Sequence, residues 1–362
     1  GAGLSGLCLA VELIKRTDKK ILILEKEKEK KKDKNWCFWN IPRNDFTGRT
    51  DFSWDKIKIK NHNNSIIKSF DGIKYLNISS KSFFDQMLKI ISSNRRCKIL
   101  FNQNISSIKE NSKNILISSN NRSYQSNLLF DSRTPRYPRG KLTQNFFGTE
   151  VIANKPIFEN DIATLMDFQK NNTSIHFFYL LPFSKKKALI ETTYLSQKRC
   201  SDTQYKSDIK DYLIRNYPKI KFKFGFNESG IIPMFKIQNS STSKKIIKIG
   251  LSNNWSRMSS GYAFQNSFIL SKKIVDLIIN KKPLILHEKK ITTFLDKVFC
   301  KYLETFPRNA PDLFFIFFSK LNLKTIVCFL TDTYSKIELI KILISLPKLR
   351  LIYSVLLALK ND

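Results

Sequence analysis

The chain has 362 residues, 42% of them hydrophobic, with 29 Phe and 12 Tyr, enough for a core spread over two domains or one elaborate one. Only 11 Gly and 11 Pro argue against a low-complexity or disordered chain. The formal net charge of +33 points to anionic surroundings, either lipid headgroups or nucleic acid.

Much of that charge is compositional, because Lys, Asn and Ile are abundant throughout. The lysines do not gather on a recognisable nucleic-acid reader, so an anionic membrane surface is the expected partner and nucleic acid is not. Six scattered cysteines form no C-x-x-C pair, and His62, His176 and His287 stand apart. No metal site is expected, and a reducing, cytoplasmic setting is.

The chain opens GAGLSGLCLAVELIKRTDKKILILEK. Gly1, Gly3 and Gly6 spell G-x-G-x-x-G, and a helical pattern runs on through Leu13 and Ile14. An apolar strand follows and ends in Glu25. Glycines alone are a weak signal; with the helix, the strand and the acid they describe a dinucleotide-binding turn. The glycines let backbone approach a pyrophosphate, the helix start offers unpaired N–H groups, and Glu25 accepts from ribose hydroxyls. The central strand that precedes such a turn is expected to be missing from the sequence.

The charge run KEKEKKKDKNW reads as a solvated loop. NWCFWN follows, either as an apolar anchor for that loop or as rings that touch a cofactor or apolar substrate. Residues 54–78 carry short alternating runs expected as half-exposed strands, and SKSFFDQMLKII is expected as a helix capped by Ser80 or Ser82. Residues 97–131 read as three strands, the last ending at Asp131. Asp131 and Arg133 then sit at a strand's C-terminal end, where they position a ligand or form an internal ion pair.

Residues 149–200 are rich in strand patterns. Within LLPFSKKKALIETTYLSQ, Glu191 is a single carboxylate among apolar neighbours, either at a strand edge or as an acid placed in an apolar pocket. Alternation puts it on the face of Leu189, Thr193 and Leu195, opposite Ile190 and Tyr194. QYKSDIKDYLIRNY is expected as a helix, FNESGIIPMF as a turn into a strand, and KKIIKIGL as a buried strand. Ser260, Gly261 and Tyr262 are expected to open a helix running to about Asn280, as a plain cap or as an N-terminus that stabilises negative charge.

The order βαβ, antiparallel insertion, return strand, helix is that of a flavin-type two-domain α/β fold. It predicts a Rossmann-like nucleotide domain with an inserted mixed or antiparallel substrate sheet and C-terminal helices. The expected segments are 1–53, 80–135 and 233–285 for the nucleotide domain and 54–79 and 136–232 for the substrate domain. The tail, 286–362, is apolar and helical but broken by lysines, too interrupted to span a bilayer. It is expected to pack on the domain and, with a smaller share of its residues, to lie at a membrane interface.

Several stretches together resemble one family, the flavin-dependent lycopene cyclases of bacteria, particularly the β-cyclase branch. GAGLSGL is similar to that family's fingerprint, NWCFW to its tryptophan-bearing segment, and FDSRTPRYPRGKLTQNFFG to its Asp-x-Arg strand end and Gln-x-Phe-x-Gly segment. MDFQ, LPFSKKKALIETTYLS, GIIPM, SRMSSGYAFQNS and FLTDTYSKIELIKILISLPK follow in the family's order. Met258 departs from it, standing where many members have proline.

The resemblance implies a redox-neutral ring closure at the ends of lycopene, through γ-carotene to β-carotene. It implies reduced FAD as cofactor, with NAD(P)H as the reductant that keeps it reduced. Glu191 is implied as the acid, or as the group that orders it beside the flavin. Gly1, Gly3, Gly6, Glu25, Asp131, Arg133, Ser260, Gly261 and Tyr262 are implied at the cofactor. A lycopene-filled membrane and anionic lipid are the expected partners, with peripheral attachment. The alternative is another FAD-dependent oxidoreductase of similar fold, a monooxygenase or a polyprenyl reductase.

Overall fold

A computed structural model describes residues 1–41, 46–62, 64–120, 122–170, 174–238 and 243–360. The glycine turn leads into α1 (Leu4–Arg16), whose apolar residues bury two faces. Leu7, Val11 and Ile14 share a cluster with Phe83, Met87 and Ile91 of α2 (Ser80–Ser92), while Leu9 and Leu13 meet Ile274 and Val275 of α4 (Phe264–Ile279). Helix α2 is capped by Ser79, whose side chain accepts from the Ser82 amide, so the cap lies one residue before the expected Ser80 and three before Ser82.

Two parallel pairs flank this layer: β1 (Ile21–Leu24) with β7 (Cys97–Leu100), and β11 (Leu129–Asp131) with β17 (Ile246–Lys248). Gly1 lies between the ends of the two pairs, its nitrogen 3.4 Å from Ser132 and its backbone beside Glu25. Strand β17 is shorter and less buried than the sequence suggests.

The region 97–131 holds five strands rather than three, because β8 (Ile105–Glu110), β9 (Ile115–Ser119) and β10 (Arg122–Ser126) form their own antiparallel sheet between β7 and β11. Asn102 and Asn120 adopt positive φ of 56° and 50° and break the run, a backbone state that asparagine tolerates.

A small sheet, β2 (Asn35–Trp39), β6 (Tyr75–Ser79) and β3 (Phe52–Trp54), connects these layers to the large one. The large sheet has seven strands in the order β16 (Phe222–Pro233), β12 (Thr143–Ala153), β15 (Lys187–Ser196), β14 (Ile175–Pro182), β13 (Ile162–Gln169), β4 (Lys56–Asn61), β5 (Asn64–Ser69). It is mixed, since β13 and β4 run parallel. The expected turn in FNESGIIPMF is instead the middle of β16, whose ladder with β12 overrides local turn propensity and absorbs a register shift near Thr149.

One face of this sheet is covered by α3 (Asp202–Asn216): Ile190, Phe178 and Val151 pack with Ile209, Tyr212 and Leu213. The other face meets the C-terminal helices α5 (Lys290–Thr305), α6 (Ala310–Lys320), α7 (Leu323–Leu330), α8 (Lys336–Ser345) and α9 (Lys348–Lys360). Leu165, Leu181 and Leu189 share a cluster there with Phe318, Ile326, Val327 and Ile342. The buried Arg257–Asp296 pair, 2.9 Å, pins the loop before α4 to α5.

Helices α8 and α9 differ from the rest of the tail. They bury few residues and leave Ile337, Ile340, Ile344, Leu349, Ile352 and Leu356 exposed. No single described helix is long and apolar enough to cross a membrane, although α8 and α9, bent by 115°, pass that test as a pair.

Candidate functional site

A cavity of about 2720 Å³ runs from the glycine turn to the inner face of the large sheet and on to α8 and α9. Pockets for one small molecule measure roughly 300–1,000 Å³, so this space is larger than a single-ligand pocket. Its wall includes every residue the sequence singled out: Gly1, Gly3, Gly6, Glu25, Asp131, Arg133, Glu191, Ser260, Gly261 and Tyr262.

At the turn end, the glycines serve different needs. A Cβ on Gly6 would stand 2.1 Å from the Gly1 carbonyl oxygen, whereas one on Gly3 would meet nothing within 4 Å and project into open space. Gly3 caps α1 without any side-chain bond, which leaves the first-turn N–H groups available. Glu25 is buried and already partly engaged: it accepts from the Ala2 amide at 2.6 Å and pairs with Lys30 at 2.9 Å. Burial opposes ionisation of Glu25, but Lys30 and the Glu27 and Ala2 amides hold its carboxyl below the usual range.

Asp131 forms the internal ion pair. Arg133 grips it at 2.9 Å through two nitrogens and Lys248 adds a bond at 2.6 Å, so Asp131 stays well below the usual carboxylate range despite its burial.

Ser260, Gly261 and Tyr262 do not open the helix. The helix starts at Phe264, and the Gly261 amide closes a tight turn on the Arg257 carbonyl, with Gly261 at φ +72°. A glycine turn, not a helix end, presents these residues. Among the described residues, the Ser260 and Tyr137 hydroxyls are buried without a hydrogen-bond partner. Both residues line the cavity, so their orphaned oxygens fit a polar ligand there. Tyr137 carried no sequence signal beyond its place after the Asp-x-Arg segment.

At the sheet end, Leu189, Glu191 and Leu195 face the cavity while Ile190 packs under α3, as alternation requires. Glu191 is buried, and the Thr193 hydroxyl donates to its Oε1 at 2.8 Å. Burial and the neighbouring Glu228 push its carboxyl up to about 8. Glu228, from β16, is also buried; its Oε2 accepts from the Asn35 amide at 2.7 Å and from Asn35 Nδ2 at 2.9 Å. Burial raises it to about 7 against the opposing bonds from Asn35. Sequence reading passed over Glu228 because its stretch was taken for a turn.

Three phenols, Tyr75, Tyr179 and Tyr262, line the same cavity. Tyr179 stands opposite Glu191 in register and donates to the Tyr75 hydroxyl at 3.0 Å. Tyr262 accepts from Trp39 Nε1 at 3.2 Å. Burial raises all three phenols, Tyr262 to about 12, and lifts the Cys37 thiol to about 12, so these four groups stay protonated. The segment Asn35–Trp39 divides its work: Trp36 and Cys37 line the cavity, while Phe38 stacks on Phe264 at 4.2 Å as an anchor.

The model of the family described as "Lycopene cyclase protein" matches residues 1–355. The chain belongs to the lycopene cyclase family. No curated protein sequence matches it. Among solved structures, a geranylgeranyl bacteriochlorophyll reductase-like protein from Thermoplasma acidophilum aligns with TM-score 0.63 at 12% identity, covering 100% of this chain and 97% of that one. A p-nitrophenol 4-monooxygenase from Pseudomonas putida gives 0.59 at 10% identity over 99% and 96%. The halogenase PltM, solved with phloroglucinol and FAD, gives 0.63 at 10% identity over 92% and 81%. At these identities the likeness is one of fold: a mixed α/β architecture shared with flavoproteins. In this chain the cavity joins a dinucleotide-type turn to a wall carrying two buried carboxyl groups.

Proposed function

We propose that the protein is a lycopene β-cyclase that closes rings at the ends of lycopene using reduced FAD. The observation that carries this reading is Glu191: a carboxyl group buried on the cavity wall, raised to about 8, with one hydroxyl as its only hydrogen-bond partner among the described residues. An alkene is a poor base, so its proton donor must stay neutral near physiological pH and be shielded from water. Desolvation supplies both conditions.

The turn end fits FAD. The first-turn N–H groups of α1 and the open space at Gly3 receive the pyrophosphate, and Glu25 retains lone pairs for a ribose hydroxyl. The orphaned hydroxyls of Ser260 and Tyr137 offer hydrogen bonds to the rest of the cofactor. Asp131, locked by Arg133 and Lys248, holds the rim in place. When bound and kept reduced by NAD(P)H, FAD would supply electron density that stabilises positive charge.

Glu191 gives its proton to the terminal alkene. The resulting cation is attacked by the neighbouring double bond, which closes the ring, and loss of a ring proton completes the β product. Tyr179, Tyr75 and Tyr262 lend aromatic faces to the cation, each worth about 1–2 kcal/mol where water is excluded. No electrons change hands overall.

The same reading attaches α8 and α9 to an anionic membrane. Their exposed isoleucines and leucines flank exposed Lys341, Lys348, Arg350 and Lys360, while Leu339, Ile342 and Val355 of the same helices line the cavity. A polyene dissolved in the bilayer thus reaches the cavity without crossing water.

The test is expression in a lycopene-accumulating bacterium, with pigments resolved by chromatography. Ring-bearing carotenes are expected; unchanged lycopene, or NAD(P)H consumed in step with product, counts against the reading and for an ordinary flavin oxidoreductase.

A further inference from the structure

The established family does not explain a second buried carboxyl group on the same wall. Glu191 on β15 and Glu228 on β16 both stand opposite Gly148 of β12, so they face each other across one glycine. A Cβ on Gly148 would lie 3.2 Å from Glu228 Cγ and 3.5 Å from Glu191 Cβ, so both side chains start beside that gap. Any larger residue on β12 would separate them.

The two groups are held differently. Glu228 Oε2 accepts from two donors of Asn35, contacts that favour a carboxylate. Among the described residues, Glu191 receives only the Thr193 hydroxyl. Lys32 and Lys34, from the loop before β2, bias Glu228 further towards the charged form, while Cys37 and Tyr179 face the pair as neutral groups. Two buried carboxyl groups facing each other across one strand cannot both ionise cheaply, and the charge of Glu228 raises the Glu191 carboxyl.

Resting on the cyclase reading above, we propose that Glu228 is the proton acceptor of the reaction and that Glu191 and Glu228 pass a single proton between them in each cycle. The Glu191 O–H bond breaks as a C–H bond forms at the terminal alkene. After ring closure a ring C–H bond breaks, its electron pair becomes the ring double bond, and the proton goes to the Glu228 carboxylate. A single water bridging the Gly148 gap carries it back to Glu191. Protons balance, and no oxidant or reductant is consumed. The placement of the acceptor then decides which ring C–H is broken, and so which ring isomer forms.

Carboxyl infrared titration of the wild-type protein, Glu191→Gln and Glu228→Gln tests the shared proton without turnover, and product analysis tests the acceptor role. In Glu228→Gln the Glu191 band is expected to titrate at lower pH than in wild type, because a like charge has been removed. An unshifted Glu191 band overturns the pairing. Glutamine still accepts from Asn35, so the fold is kept. Ring formation in Glu228→Gln is expected to fall about a hundredfold, the usual scale for loss of a general base. The residual product is expected to carry ε or γ rings. A fall with only β rings assigns Glu228 a structural part instead. If the wild-type protein closes no rings at all, the cyclase reading fails, while the titration still decides whether the two groups share a proton.

Discussion

Glu191 and Glu228 flank Gly148, each aligned with it in an antiparallel ladder. Gly148→Ala places a methyl group 3.2 Å from Glu228 Cγ and 3.3 Å from Leu189 Cδ1. These side chains can yield by a few tenths of an ångström, so the variant is expected to fold with a loss of about 1–3 kcal/mol. Its ring-closing rate is expected to fall by more than its thermal stability suggests. A rate unchanged from wild type, with melting followed in parallel, would show that the gap has no part in the chemistry.

Glu191→Gln keeps size and the Thr193 contact but removes the transferable proton. Turnover of lycopene is expected to drop by roughly 10²–10⁴, the range for a positioned general acid. Flavin absorbance of the purified protein is expected to persist. Wild-type turnover in this variant removes Glu191 as the donor.

The raised carboxyl of Glu191 gives the reaction an alkaline limit. The neutral donor is present below about 8 and is lost as pH rises through that value, so the rate is expected to fall there. Stability follows the same sign. The folded protein holds this proton from the ordinary value of 4.5 up to about 8, so the group's contribution declines as pH rises across that window. Glu191→Gln is expected to melt higher than wild type at pH values above the window; a lower melting temperature there would contradict the assigned burial.

The two inner glycines of the turn predict different failures. Gly6→Ala drives a methyl group into the Gly1 carbonyl oxygen and is expected to lower melting temperature and flavin content together. Gly3→Ala meets no protein atom and is expected to preserve the fold while weakening flavin binding. Equal flavin retention in Gly3→Ala and wild type, read from absorbance after dialysis, would place the pyrophosphate elsewhere.

Ile340→Glu with Leu349→Glu alters only solvent-facing positions, Leu349 being 87% exposed. Melting temperature is expected to hold, while flotation with vesicles containing anionic lipid is expected to fall several-fold and wild-type flotation to weaken with salt. Undiminished flotation would move the lipid contact to another face.

Much of the nucleotide layer was legible because its signals are local. Glycine spacing, the amphipathic run of α1 and the apolar β1 lie within one short segment, and the structure packs them as such. The face of Glu191 was also legible, since a strand of period two assigns sides whatever its partners. The strand count in 97–131 was not, because positive-φ asparagines divide the run where apolar pattern gives no mark. The start of α4 was misplaced because Gly261 looks like a helix entry, but its positive φ serves a preceding turn.

The sequence by itself determined a dinucleotide-type turn, a mixed α/β architecture, an apolar helical tail and one carboxyl group on the inner side of a strand. These follow from backbone preferences and from patterns a few residues long. Tertiary structure alone decided that Glu228 stands beside Glu191, that Asp131 is neutralised by Lys248, and that α8 and α9 turn one face to the cavity and the other outwards. Each depends on segments far apart in the chain being brought together by strand pairing or helix packing, and burial changes the protonation of a carboxyl group only once those neighbours have displaced its water.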